Sequence, residues 1–326
     1  MKKNIYLLGL LLLAACANDD EPTGQQVPNA YPLTIEVTEN PLIPDGEEGS
    51  STRAAITTTS SLTTFCMDYV YDTSTHGNEE ATINPAGTWD AGTWPYDAAS
   101  NGFNVDWYAH TSYTKAGSTI TSDFNLDGTN RPYISFSVVE DVSKQKDLLV
   151  ATASGTYTGT NKGKLSFTFD HACSALRFWV KKSTNLNDYT LNISSIVLKN
   201  VIKVGKYFFK TGSWELGATS TDYTLYLGSA TSLGSDDYVS LQGDGDYLFF
   251  IPQALTAWNH TGELSDTYLE ITCTIKNGEN TVYSGKAYIP FGTANEKPFL
   301  KGKKHDVKIN IGKNSLYSAP NTKIIN

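Results

Sequence analysis

Along most of the chain apolar and polar residues alternate with a period of two, the spacing that sends one row of side chains to the buried face of a strand. Tyr31, Leu33, Ile35 and Val37 alternate with Pro32, Thr34, Glu36 and Thr38, which predicts a strand with its apolar row in a core. Pro32 has no backbone N–H to give to a sheet, so the strand starts there or lies at an edge. Phe65, Met67, Tyr69 and Tyr71 supply the next alternation. Short strands are then expected at 103–109, 133–139, 147–152, 165–169 and 175–181. After a polar break at 183–188 a second series follows at 189–198, 206–209, 223–227, 246–251, 268–275, 283–289 and 306–311. Asn277-Gly278 is a type I′ hairpin signal between two of these. Many short strands at such spacing predict an all-β chain built of sandwiches, and the break predicts two of them.

Three stretches fall outside the alternation. Residues 17–30 are polar and contain Pro22 and Pro28, the composition of a linker. Residues 39–52 (ENPLIPDGEEGSST) are rich in Pro, Gly and acidic residues and read as an exposed, mobile loop. Arg53 closes that loop and is the only Lys or Arg between Lys3 and Lys115; it is either a protease site or a solvated loop cation. Residues 312–326 (GKNSLYSAPNTKIIN) alternate poorly and carry Pro320, so a tail is expected beyond the last strand.

The first residues look like a targeting segment. Lys2 and Lys3 precede an apolar run from Ile5 to Leu13, too short for the roughly 20 residues of a spanning helix and suited to a signal sequence. The run ends in Leu13-Ala14-Ala15-Cys16, which resembles a lipobox with Cys16 as the lipidated residue; the alternative is an ordinary signal peptide that contains a cysteine. Acyl chains contribute about 0.8 kcal/mol per buried CH₂, so several of them on Cys16 would hold the chain at the outer membrane.

Composition narrows the function. The chain has 326 residues, 40% hydrophobic content and 19 tyrosines, enough for sizeable cores. Its formal net charge is −9 with scattered basic residues, which excludes a nucleic-acid footprint. Besides Cys16 there are Cys66, Cys173 and Cys273, an odd number without metal-type spacing; they are buried thiols, or one pair bridges. His76, His110, His260 and His305 also lack metal-ligand spacing, and no metal or cofactor is expected. Asp170-His171 beside Cys173 has the residue types of a nucleophile and base, but in the apolar run of Phe167 and Phe169 it reads as a satisfied core histidine. Asp236-Asp237, Asp244 with Asp246, and 123–130 lack a full calcium ligand set and read as loops and a turn. Trp89, Trp94, Trp107, Tyr96 and Tyr108 are candidates for a sugar-stacking platform, and equally for a core. No catalytic constellation is found.

Several landmarks follow in order: Thr52-Arg53-Ala54-Ala55 with the Ser/Thr-rich run after it, Thr93-Trp94-Pro95 with 103–109 (FNVDWYA), and 147–151 (DLLVA) with 167–172 (FTFDHA). Phe249-Phe250-Ile251-Pro252-Gln253 and 299–307 (FLKGKKHDV) come next. Together they resemble the fimbrillin family of Bacteroidetes surface fimbriae, with His305 and Val307 standing where aromatics are commoner in the family. Asp19-Asp20-Glu21 is similar to a surface-export signal of Bacteroidetes lipoproteins, and equally reads as part of a solvated linker. The resemblance implies two tandem transthyretin-like Greek-key β-sandwiches in a surface lipoprotein precursor. It divides the chain into a signal peptide (1–15), an anchor linker and propeptide with a removable first strand (16–53), an N-terminal sandwich (54–186) and a C-terminal sandwich with a short tail (187–326). An arginine-directed protease would cut between Arg53 and Ala54 and release the strand bearing Tyr31, Leu33, Ile35 and Val37. Other fimbrial subunits would then join by strand exchange, and a host protein or glycan is the expected adhesion ligand. The alternative is a glycan-binding lipoprotein that stays anchored.

Overall fold

The computed structural model describes residues 31–44, 54–55, 62–158, 163–241, 247–260, 264, 266–292, 299–318 and 322–325. Alternating β-branched and aromatic residues put 60% of the structure in strands and only 6% in helix, so the fold is all-β as the pattern predicts. The strand expected around Ile35 is β1 (Thr34–Glu39), which begins two residues after Pro32. It is followed by two two-residue strands, β2 (Ile43–Pro44) and β3 (Ala54–Ala55). Pro95, with its fixed φ, opens a short helix Tyr96–Asn101, and Gly102 closes it at φ 69°, a left-handed conformation that glycine adopts without strain.

Among the described residues the largest sheet has eight strands. In spatial order they are β3, β1, Lys164–His171, Leu149–Thr156, Asn104–His110, Thr64–Tyr71, Ser74–Ile83 and Trp89–Asp90. One face carries Phe65, Met67, Trp107, Phe167 and Phe169 into an apolar cluster. The opposite face meets a second cluster that holds Tyr108, Phe124, Ile134, Tyr207 and Phe209.

The remaining core lies between two further sheets. Ser174–Lys182 pairs in parallel with Lys303–Ile311, and antiparallel with Leu248–Phe250 and Val239–Ser240. The facing sheet runs Ser220–Ser232, Thr190–Ile202, Tyr268–Asn277, Asn280–Pro290, Tyr317–Ser318, Thr322–Lys323. Their inner faces bring Leu176, Phe178, Phe250, Val307, Ile193 and Ile271 into one cluster. Asn277-Gly278 forms the expected hairpin: Asn277 pairs with Asn280 and Gly278 has φ 57°.

Two pairings cross the expected boundary after residue 186. Ser174–Lys182 precedes it, yet its sheet partners at 239–240, 248–250 and 303–311 all lie beyond it. The hairpin of Val204–Phe208 and Ser213–Leu216 follows it, yet pairs with Pro132–Ser137. A polar break in sequence marks a turn, not the line where one core ends, because strands choose partners by apolar fit rather than by proximity along the chain. The tail also differs from its expected irregularity. Leu316 and Ile325 are buried in the Phe178 cluster, and Tyr317–Ser318 adds to the edge of Asn280–Pro290 through the Tyr288–Tyr317 pair.

Candidate functional site: the docked N-terminal strand

The segment from Tyr31 to Pro44 is held along its whole length. At its start Trp94 donates its backbone N–H to the Tyr31 carbonyl (2.8 Å), and Leu33 donates to the Gly92 carbonyl (3.1 Å). β1 then runs parallel to Lys164–His171, Ile35 opposite Leu165 and Val37 opposite Phe167. On its other side Thr38 and Glu39 pair with Ala55 and Ala54 of β3. Asn40 donates its N–H to Phe169 (2.9 Å) and its amide to Asp170 (2.6 Å). Finally β2 pairs in parallel with the start of Lys303–Ile311, and Ile43 N–H reaches Gly302 (3.2 Å). One extended segment thus adds a strand to the eight-stranded sheet and an edge to the sheet of the other core. The expectation of an exposed loop over 39–52 is corrected in part: Glu39 belongs to β1, and Asn40, Ile43 and Pro44 are tied by backbone contacts to two sheet edges, while Pro41 and Pro44 keep exposed side chains.

The apolar row enters the core as predicted. Leu33, Ile35 and Val37 are 5, 7 and 6% exposed and belong to the cluster of Phe65, Trp107 and Phe167. Tyr31 is half-buried and packs its ring on Tyr157 (4.8 Å) and Tyr96 (5.9 Å). The polar row faces outward, where Glu36 pairs with Lys164 (2.5 Å) and Thr38 meets Thr168 (3.1 Å). At about 1.5–3 kcal/mol for each buried side chain, the three aliphatic residues contribute roughly 5–9 kcal/mol gross to holding the strand.

The end of β1 carries an ionic contact. Glu39 lies 3.3 Å from His171 Nε2, and His171 Nδ1 bonds Asp147. Burial alone would lower the pKa of His171, but the hydrogen bond and charge of Asp147, the charge of Glu39 and the Asn40 backbone outweigh it and raise it. Burial pushes the Glu39 carboxyl up, with the His171 charge opposing and Asp147 adding. His171 is thus the satisfied histidine expected, largely buried, with its partners being carboxylates at the rim of the apolar cluster. It keeps the parity of Phe167 and Phe169 but sits where the strand leaves the core, against two carboxylates. Cys173 lies in the other cluster, fully buried, with its thiol pKa raised first by desolvation.

Other candidates are placed as follows. Cys16 and Arg53 lie outside the described residues, as do Asp244 and Asp246. Ala54 is described, in β3. Cys66, Cys173 and Cys273 are free and buried. Trp94, Trp107 and Tyr108 are buried, and Trp89 is half-buried against Phe65. Of the five aromatics proposed for a sugar platform only Tyr96 is substantially exposed (51%), so they do not form one together. The turn at 123–130 is built on Asp127, which accepts from the backbone N–H groups of Thr129 and Arg131. Gln253 of the 249–253 landmark is buried; its Oε1 accepts from Ile202 N–H (3.1 Å) and its Nε2 donates to Ile202 O (2.8 Å). Besides elements such as Ser74–Ile83 and the helix Tyr96–Asn101, the sequence pattern did not show β2 or a buried group of Cys66, Asp68 and His110. The alternation Cys66-x-Asp68 on one strand face was the available signal for the second.

A family model described as fimbrillin-like matches residues 52–324. The chain belongs to the fimbrillin-like family. It is accordingly a structural, non-enzymatic protein of the fimbrial and adhesive type, associated with the cell surface. This fimbrillin-like chain is similar in shape to a candidate cell adhesion protein of Bacteroides ovatus, at 14% identity over 88% of this chain and 94% of that one, with TM-score 0.48. A candidate cell adhesion protein of Parabacteroides distasonis gives 10% identity, 87% and 89% coverage and TM-score 0.46. The fimbrial anchor protein Mfa2 of Porphyromonas gingivalis gives 10%, 77% and 81%, and 0.34. At this level a neighbour's role does not transfer to the fimbrillin-like chain. No curated protein matches it.

Proposed function

We propose that this fimbrillin-like protein is a fimbrial subunit made as a lipoprotein precursor, lipidated at Cys16 and anchored in the outer membrane. Cleavage after Arg53 by an arginine-directed protease frees the N-terminal segment, and a strand of another subunit takes its place. The observation that carries this reading is β1: a core strand joined to the following chain only through residues 40–53, with β3 beginning at the residue after Arg53. After its removal, Lys164–His171 would present unpaired N–H and C=O groups beside the sockets of Leu33, Ile35 and Val37. Such an edge is a template for another strand, whose backbone gives affinity and whose alternate side chains give register. While β1 stays docked the same groove is filled, which prevents premature assembly. The tail is seated on its own core through Leu316 and Ile325, so to act as a donor it would first have to leave that site.

The test is the N-terminus of the surface-exposed protein, determined by mass spectrometry after expression of the full precursor in a Bacteroidetes host. A start at Ala54, with Arg53→Ala leaving a lipidated monomer, is the expected result. Unimpaired polymerisation of Arg53→Ala would sink the proposal. A retained Cys16 lipid with β1 in place would favour a permanently anchored, ligand-binding lipoprotein.

A further inference from the structure

The strand Thr64–Tyr71 has two unlike faces. Phe65 and Met67 enter the large apolar cluster, while Cys66 and Asp68 point to the other side. His110 stands directly opposite Cys66 in the neighbouring strand, and Ser122 of Thr119–Ser122 closes over them. Cys66, Asp68 and His110 are 0, 3 and 0% exposed. One donor atom from each lies within 4.8 Å of the other two. Asp68 Oδ2 is the hub, 2.6 Å from His110 Nε2, 2.7 Å from Ser122 Oγ and 3.6 Å from Cys66 Sγ. Ser122 Oγ is also 3.1 Å from His110 Nε2. His110 Nδ1 is buried without a hydrogen-bond partner among the described residues.

We propose that Cys66, Asp68 and His110 form a site for a divalent transition-metal ion of the Zn²⁺ class, with the Ser122 hydroxyl or a water as fourth ligand. A thiolate, an imidazole and a carboxylate are the donors zinc takes, in a four-coordinate arrangement. Calcium and magnesium require oxygen donors and do not suit this set. Charge argues the same way. A thiolate and a carboxylate together carry two negative charges, which a divalent ion neutralises, and a buried site tolerates only such balance.

Two donor separations fit with a small adjustment, and the third, sulfur to imidazole, lies within 4.8 Å and closes as the ion draws the side chains in. Zinc–ligand bonds of about 2.0–2.3 Å set tetrahedral neighbours roughly 3.3–3.6 Å apart. The sulfur–carboxylate separation already has that value, and the carboxylate–imidazole separation must open by about 0.7 Å when the ion replaces the hydrogen bond. Binding breaks the S–H bond of Cys66 and sends its proton to solvent. Sulfur, oxygen and one imidazole nitrogen each donate a lone pair, the ring keeps one proton on its other nitrogen, and nothing is oxidised or reduced. Because the ion takes the place of the Cys66 thiol proton, metal and proton compete for the same sulfur.

The experiment is a Co²⁺ titration of the full chain carrying Cys16→Ala, which leaves only the buried thiols. The expected result is a near-ultraviolet thiolate-to-cobalt band with intense visible bands of tetrahedral type, saturating at one equivalent and bleached by Zn²⁺. Cys66→Ser should abolish the near-ultraviolet band, and Cys173→Ser should keep it. One equivalent of Zn²⁺ should raise the melting temperature of the Cys16→Ala chain, reversibly with chelator. Absence of a thiolate band from the Cys16→Ala chain itself, however Cys66→Ser folds, would show that the group is a hydrogen-bonded core cluster and overturn the proposal. An unchanged band in Cys66→Ser would place the metal elsewhere and overturn it equally.

Discussion

Replacing Ile35 by alanine offers the most direct test of β1 as a separable strand. Ile35 is 7% exposed, opposite Leu165, inside the cluster of Phe65, Trp107 and Phe167. Truncating a buried isoleucine to alanine costs about 2–5 kcal/mol, from lost transfer energy and the cavity left behind. In an intact chain that loss would be spread over global stability. Once the backbone is cut after Arg53, β1 is held by non-covalent contacts alone, and the loss should appear in its retention. At 1.4 kcal/mol per tenfold, the cleaved fragment should be held roughly 30- to 4,000-fold more weakly. Thr34→Ala is the control, since Thr34 is exposed on the same strand and such changes fall within about 0.5 kcal/mol. The assay cleaves the Cys16→Ala protein with an arginine-specific protease and follows the N-terminal fragment by size exclusion and intact mass. A fragment bearing Ile35→Ala that leaves at the rate of the unmodified one would refute the reasoning. So would equal acceleration by Thr34→Ala.

Two further outcomes are expected. His171 has a pKa raised above its usual 6.5, so its contribution is full below about pH 6.5 and lost as pH rises through the raised value; Glu39, raised from 4.5, has the same sign in its own window, full below about pH 4.5 and lost as pH rises through its raised value. His171→Gln should cost about 1.5–3 kcal/mol near pH 6 and progressively less at higher pH, read by thermal melts and by hydrogen exchange of the β1 amides; a pH-independent difference would contradict it. Gln253→Leu leaves the N–H and C=O of Ile202 without their side-chain partner, and at about 1–3 kcal/mol for each unsatisfied group should destabilise by roughly 2–6 kcal/mol in urea melts; an unchanged midpoint would show that Ile202 finds other partners.

The alternation of Leu33, Ile35 and Val37 was legible because a period of two states which side chains are buried, whatever they are buried against. The Asn277-Gly278 hairpin was legible for a similar reason, since a two-residue turn fixes the register of strands that adjoin it in sequence. The partners of distant strands were not legible in this way. β1 lies parallel to a strand about 130 residues away, and periodicity says nothing about which of many apolar faces a strand meets. The same limit hid β2, whose two residues show no pattern and are ordered only by the edge of Lys303–Ile311. It also hid the partners that satisfy His171, because Asp147 and Glu39 reach it from other parts of the chain. Cys66 and Asp68 reveal a shared strand face to any reader of the sequence. That His110 and Ser122 complete their group was decided by cross-strand register, a property of the assembled sheet that no single segment carries.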